Sequence, residues 1–375
     1  MYLSWYVLFP VLLPVMTERL GLYPFLGGVI CLLFIGAMLV MGPFYGYLLD
    51  TYRRKYMYML VLIVMTSIVF SYGIINNEAE LWLLCLAQGM AFGVGAMGIV
   101  TLGIDLTVST KRSISCAAFN WWARFGMFGG VVLGTVLYLQ YNFETVILVS
   151  AVLKMVGVFV ILTIHVPFRA PTGVKVCSLD RFFLPRGWLS VLNLVFVAFV
   201  PGLFIISSMS NVRVYDFMGY EIAVPYFVMA GTGFLLSVLF MRFIRKKEDV
   251  VYIPAIAGLL LVFMAMLLLA FFVNDIVWFV SFTLLGVGLG FIAPAFLTMF
   301  VMLSKHCERG TGNVTHLLGW EIGILLGIGT SCYLVANGLQ WMILDVGLFF
   351  SALASFLFFS ATYPYFKKKR IRAKA

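Results

Sequence analysis

Gly42-Pro43-Phe44-Tyr45-Gly46-Tyr47-Leu48-Leu49-Asp50-Thr51-Tyr52-Arg53-Arg54-Lys55 is the stretch on which the reading of the fold turns. An apolar run of roughly two dozen residues stops there in one acid and three cations. At about 1.5 Å per residue such a run crosses a hydrocarbon core of about 30 Å, and cations just beyond it favour the cytoplasmic side. The stretch reads as a membrane helix ending in the cytoplasm, with Gly46, Asp50, Arg53, Arg54 and Lys55 spaced as G-x-x-x-D-x-x-R-R-K.

Composition extends this reading to the whole chain. Of its 375 residues 63% are hydrophobic and 11% charged, where a soluble domain carries roughly a quarter charged; the mean hydropathy is +1.08. Runs such as 256–273 are apolar on every face, unlike the alternating segments of a membrane barrel, so the spans are helical. The net charge of +10 does not point to nucleic acid, because the cations cluster between spans and at the carboxyl end. The six cysteines lie mostly in apolar runs, with Cys177 and Cys307 in basic loops, and show no disulfide framework or metal spacing.

The first apolar segment, 1–16, contains Pro10 and Pro14 and ends at Glu18 and Arg19. It is short for a span, so either the chain begins part-way into a helix or neighbouring helices support it; no positively charged leader or small-residue cleavage site is visible. Apolar runs follow at about 24–49, 56–75, 81–103, 114–139, 145–164, 188–208, 222–241, 250–273, 276–302, 313–336 and 341–363, which makes twelve spans. Alternate loops sort by charge. One set holds Arg53 to Lys55, Lys111, Arg112, Arg169, Lys175, Arg181, Arg186, Arg242, Arg245 to Lys247, Lys305, Arg309 and the tail cations Lys367 to Arg370. The other holds Glu18, Glu78, Glu80, Glu144, Asp216, Glu221 and Asp275, with Arg19 and Arg213 as exceptions. The positive-inside rule puts the basic side, and the carboxyl terminus, in the cytoplasm.

The chain also repeats itself. A shift of 192 lays 17–55 over 209–247 without a gap, with Arg53-Arg54-Lys55 falling on Arg245-Lys246-Lys247. A shift of 197 lays Arg112 on Arg309, Arg124 on Glu321, Gly126 on Gly323 and Gly130 on Gly327. Two parallel six-helix repeats are implied: an amino-terminal bundle 1–164, a basic linker 165–187, and a carboxyl-terminal bundle 188–375. Twelve spans, this split, the loop signature after the second span and its degraded copy after the eighth together resemble the major facilitator superfamily. In that loop Thr51 stands where the family has a basic residue and Arg53 where it has Gly. The resemblance implies alternating access of two bundles around a central cavity, in the cytoplasmic membrane of a bacterium.

Arg124 lies about 18 Å past the cytoplasmic Arg112, near the midplane, and Glu321 lies at the same depth past Arg309. Charges at that depth face a cavity or a partner and mark a substrate or ion path. Gly126 and Gly130 in the fifth span, with Trp122 and Gly134, and Gly323 and Gly327 in the eleventh, with Gly319, form close-packing stripes. At 100° per residue both charges point away from those stripes. Gly319-Trp320-Glu321-Ile322-Gly323 to Gly327 resembles the W-D-x-G-x-x-x-G stretch of drug- and sugar-efflux facilitators, with Glu for Asp. The fifth-span glycines look like the family's antiporter motif without its proline. Cys85-Leu86-Ala87-Gln88-Gly89 is similar to the family's R-x-x-Q-G with Cys85 at the Arg position. Tyr6, Trp5, Gln88, Asn120, Trp121, Asn193 and Trp320 occupy spans that line the cavity in this family. Asp50 reads as a latch, meeting the positive start of the eleventh helix near Gly312 and Asn313. Lys154 has no evident partner and reads equally as a snorkelling, structural or functional residue. His316 reads as packing or a satisfied hydrogen bond.

These features describe a secondary transporter of a small organic solute, with protons as coupling ion and efflux as the direction. Its partners are solute, protons and lipid, with no nucleic acid; the chain works as a monomer without cofactor. An uptake carrier or a non-transporting receptor on the same fold are the alternatives. An intramembrane enzyme would need a metal cluster or a nucleophile with its base, and no such spacing occurs in the spans; ATP drive would need a phosphate loop, and none is present.

Overall fold

Asn77, Asn142 and Asn274 show why three of the spans start where they do. Each side-chain oxygen accepts the backbone N–H three residues on, at 2.9 Å from Glu80, 2.9 Å from Thr145 and 2.8 Å from Val277. Glu78, Glu144 and Asp275 follow in the first turns, where the positive end of the helix favours them. Asn77 and Asn274 stand at the same offset, 197, that separates Arg124 from Glu321.

The computed structural model describes the chain except Pro24, 108–111, 167–174, 180–181, 218–219, 245–250, 273, 306–307 and 371–375. The helices are α1 Tyr2–Leu20, α2 Leu26–Thr51, α3 Arg54–Ser71, α4 Glu78–Asp105, α5 Arg112–Gln140, α6 Phe143–Thr163, α7 Trp188–Ser207, α8 Phe227–Ile244, α9 Tyr252–Phe271, α10 Asp275–Leu303, α11 Arg309–Ala336 and α12 Met342–Leu357. A π turn, Phe358–Thr362, carries α12 on into α13 Tyr363–Lys369. Each of the twelve apolar runs holds a helix, and ten helices among the described residues are long and apolar enough to cross a membrane. The protein is an all-α membrane protein. Val152, Val156 and Phe159 on α6 and Phe349 and Phe356 on α12 are large, apolar and more than half exposed, which suits a face turned to lipid and not to water.

One expectation is corrected at α8. The span read from 222 starts at Phe227, because β1 Val212–Phe217 and β2 Tyr220–Pro225 form an antiparallel hairpin, Val212 opposite Pro225 and Phe217 opposite Tyr220. The cations Lys111, Arg169, Arg181, Arg245, Lys246 and Lys247, together with Cys307, lie outside the described residues.

Glycine lets helix pairs approach to backbone contact, and it does so at repeat-related places. A Cβ at Gly130 would stand 2.6 Å from the Leu3 carbonyl oxygen, and one at Gly134 2.0 Å from that of Val7, so α5 lies directly on α1. A Cβ at Gly323 would stand 2.4 Å from the Val195 oxygen, and one at Gly327 2.3 Å from that of Phe199, so α11 lies on α7 in the same way. The first six helices meet the last six along two seams. On one, α2 faces α11 through Gly28 and Gly329. On the other, Phe128 of α5 packs against Phe227 and Phe234 of α8 with ring centroids 5.4 and 5.3 Å apart. At the basic end the segment before α7 lies across the first seam. Ser178 N–H donates to the Pro43 carbonyl of α2 at 2.9 Å, Phe182 fills the space beside Gly42, and Leu184 N–H donates to Thr315 Oγ1 of α11 at 2.9 Å.

Candidate functional site

Arg124 and Glu321 each lie twelve residues past the first residue of their helix, Arg112 in α5 and Arg309 in α11. That is about 18 Å of rise. With their glycine faces pressed on α1 and α7, the two helices turn these charges towards each other. Arg124 Nη2 bonds Glu321 Oε1, and Tyr6 of α1 donates its hydroxyl proton to Glu321 Oε2 at 2.7 Å. Both charged side chains are buried, at 1% and 2% exposed. The guanidinium also lies between two rings, 5.1 Å from the centre of Tyr2 and 5.3 Å from that of Trp320. Both carboxylate oxygens therefore have donors, which a buried acid requires. The arginine is less fully engaged: Nε and Nη1 are buried with no partner among the described residues, as is the Tyr2 hydroxyl. These groups can donate to a further acceptor, a carboxylate or phosphate oxygen being the strongest.

Tyr2 also lines a cavity of about 410 Å³, with Met1, Tyr58, Asn120, Phe125 and Leu317 among its other walls. The cavity is mainly apolar and aromatic, and Tyr2 belongs both to its wall and to the cluster that holds the buried cation. Such a combination holds an amphiphile by both of its parts.

Asn120 sits one turn before Arg124 and donates Nδ2–H to Asn313 Oδ1 of α11 at 2.5 Å, while its Oδ1 faces His316 Nδ1 at 3.1 Å. Trp320 donates its indole N–H to His316 Nε2 at 3.2 Å. His316 is thus a member of the central network. His316, read as packing or a satisfied hydrogen bond, makes two such bonds, whereas Tyr2 had no assigned role and is marked by its place one turn before Tyr6 on α1.

Of the other expected cavity residues, Asn193, Trp121 and Trp5 make their contacts elsewhere. Asn193 donates to the Ala354 carbonyl at 2.8 Å and ties α7 to α12, because its face of α7 turns away from α5. Trp121 stacks on Phe125 and on Phe234 of α8, at 5.6 and 5.1 Å, and belongs to the α5–α8 seam. Trp5 is stacked 4.9 Å from Phe34 in an aromatic cluster with Phe9 and Phe92. Gln88 is buried, and neither amide atom has a partner among the described residues. At the position of the family's arginine, Cys85 accepts from the Tyr72 hydroxyl. Lys154 does not snorkel: it is fully buried, and its Nζ donates to Ser150 Oγ at 2.8 Å, which in turn donates to the Ser4 carbonyl.

The opening stretch builds a second charged cluster at the basic end. Asp50, read as meeting the start of α11, pairs with Arg54 at 2.5 Å, and Arg54 also bonds Asp105 at the end of α4 at 2.6 Å. Arg54 Nε donates to the Leu49 carbonyl, and Lys55 Nζ donates to the Leu162 and Ile164 carbonyls that end α6. Gly46 is buried on α2 and Arg53 is exposed just before α3. This cluster joins α2, α3, α4 and α6. Asp105 was passed over because an acid at a helix end looks solvated in sequence; in the fold it is 2% exposed.

Comparison with known proteins agrees with this architecture. Residues 1–328 match the family model of the Major Facilitator Superfamily. Protein spinster homolog 3 of Mus musculus is 27% identical over 222 residues, covering 54% of this chain and 42% of that protein, so the match spans less than half the relative's length. Two crystal structures of a bacterial homologue of the human lysosomal transporter Spinster share the fold. The inward-facing occupied form superposes with a TM-score of 0.68 at 15% identity, and the inward-facing unoccupied form with 0.65 at 16%. Each covers 100% of this chain and 96% of its own.

Proposed function

The chain belongs to the Major Facilitator Superfamily, and from that premise we propose that it is a secondary transporter of the Spinster-like kind. It moves a small organic solute with an anionic group out of a bacterial cell, driven by protons. The bundle 1–164 and the bundle 188–375 rock about the Arg124 site, joined by the linker 165–187, with the basic end and the carboxyl terminus in the cytoplasm. The observation that carries this reading is the buried Arg124–Glu321 pair, which joins α5 to α11 with Tyr6 as its third member. Facing the cytoplasm, Arg124 holds the anionic group of the solute through Nε and Nη1, which the Glu321 pair leaves unused, and the apolar body occupies the cavity beside Tyr2 and Phe125. After the solute leaves on the other side, Glu321 takes up a proton there and releases it in the cytoplasm, so that solute and proton cross in opposite directions. The efflux direction is supported by the likeness of 319–327 to efflux members of the family.

The test uses the purified full chain in proteoliposomes. A thermal-shift screen of charged and neutral amphiphiles supplies a ligand, and its flux is followed with and without a pH gradient. Glu321→Gln is expected to abolish the gradient-driven component. Normal flux with an unchanged pH profile in that variant overturns the proton role, and no flux of any bound amphiphile by the native chain overturns the transport reading.

A further inference from the structure

Between the Arg124 cluster and the basic end lies a chain of buried polar groups whose donor directions are determined by their chemistry. An indole N–H only donates, so Trp320 makes His316 Nε2 an acceptor. The neutral ring then carries its proton on Nδ1 and donates it to Asn120 Oδ1. With that oxygen accepting, the Asn120 amide nitrogen donates to Asn313 Oδ1 and to the Cys116 carbonyl at 2.9 Å. Asn120, Asn313, His316 and Trp320 are between 1% and 3% exposed. Two of these bonds cross from α5 to α11, and the bond to Trp320 runs along α11 towards the ring that covers Arg124.

We propose that His316 is the positioning residue that couples the covering of Arg124 to the closure of α5 against α11 at the basic end. The inference rests on the transport reading. Its Nδ1–H finds Asn120 only while the two helices are together, and its Nε2 holds the Trp320 ring over the guanidinium. When the helices part, the imidazole loses the bond that orients it, and Trp320 loses its anchor. Opening of the basic end and uncovering of Arg124 then occur as one event. A proton on Nε2 breaks the link to Trp320, because two N–H groups would face each other, and drives the helices apart against the remaining Asn120 bond by setting a second buried cation opposite Arg124 of α5. The charged group acting on the ring is Arg124 of α5, while α10 presents the Phe300 ring, 5.7 Å away, and the Ala293 carbonyl.

The test is amide hydrogen exchange of the full chain in proteoliposomes, read at the basic-end turns of α5 and α11 and corrected for the intrinsic pH dependence of exchange. It is made in the Glu321→Gln background, so that titration of that acid is absent. The amide of His316→Gln reaches the Nε2 position and accepts from Trp320; that of His316→Asn reaches the Nδ1 position and donates to Asn120. His316→Gln is expected to speed exchange at these turns about three- to tenfold, the effect of losing one interhelical hydrogen bond. His316→Asn leaves them protected. Acid speeds exchange with His316 present and has no such effect in either variant. Equal exchange in the two His316 variants, or an acid effect that survives both, overturns the proposal. Flux of Glu321→Gln judges the transport reading separately, since the exchange comparison stands whichever way that flux falls.

Discussion

Arg54 and Arg124 both bond carboxylates, and their settings differ in two respects. Arg54 is 16% exposed and serves two acids, Asp50 and Asp105, at the edge of the bundle. Arg124 is 1% exposed and serves one, Glu321, while two of its nitrogens stay without a partner among the described residues. The first cluster joins helices within the amino-terminal six, α2, α3 and α4. The second joins α5 to α11, across the line between the two sets of six. An arginine at the edge with its acids in place can hold a shape. An arginine in the centre with unused donors, beside a tyrosine that lines an apolar cavity, can exchange one partner for another. Burial sharpens the contrast, since breaking a buried pair leaves an uncompensated charge where water cannot reach it.

The comparison can be broken most directly at Arg124. Arg124→Ala is expected to lower stability by about 3–5 kcal/mol and to abolish transport, because Glu321 is left charged and buried. Adding Glu321→Gln to it should restore thermal stability in detergent without restoring flux; recovered flux would make the pair structural. Tyr6→Phe removes the donor to Glu321 Oε2 and should cost about 1–3 kcal/mol, with a fall in flux of about tenfold and a shifted pH profile. Arg54→Ala is expected to cost about 1–2 kcal/mol, since Arg54 itself is partly exposed and Asp50 and Asp105 each keep a further contact, and to slow flux only severalfold. Asp50→Asn, which keeps the Asp105 bond, should do less than Arg54→Ala. A loss equal to that of Arg124→Ala would place the edge cluster in the transport step. The smallest effect belongs to the exposed pair of Arg213 with Asp275, at 44% and 55% exposed. Asp275→Asn should change stability by less than about 0.5 kcal/mol. It should also let the Tyr226 hydroxyl, raised by its burial and by the Asp275 carboxylate, ionise at lower pH in a spectrophotometric titration.

Legibility in the sequence followed the range of the physical signal. Spans were readable because hydrophobicity over some twenty residues is a sum, tolerant of single exceptions. The hairpin 212–225 was missed because its first strand, Val212–Phe217, carries Arg213 and Asp216 between two spans and reads as loop, while the apolar end of the second, 222–225, is absorbed into the span that follows. Depth along a helix was readable for Arg124 and Glu321, since rise per residue is constant. Direction was only partly readable. The glycine stripes turned both charges away from α1 and α7, but Asn193 and Trp121, equally polar or aromatic in spans, turned out to face α12 and α8.

From the sequence alone came the membrane class, the twelve helices, the internal offset of 197 and the depth of the two central charges, since each depends on composition or on spacing along one helix. Which residues meet across helices was decided only in the folded chain. The pairing of Arg124 with Glu321, the place of Tyr2 and Tyr6 beside them, the bond of Arg54 to Asp105 and that of His316 to Asn120 are all contacts between distant residues. The physical reason is rotation: one helix specifies where a side chain lies along its axis, and only its packing against the others specifies the direction in which that side chain points.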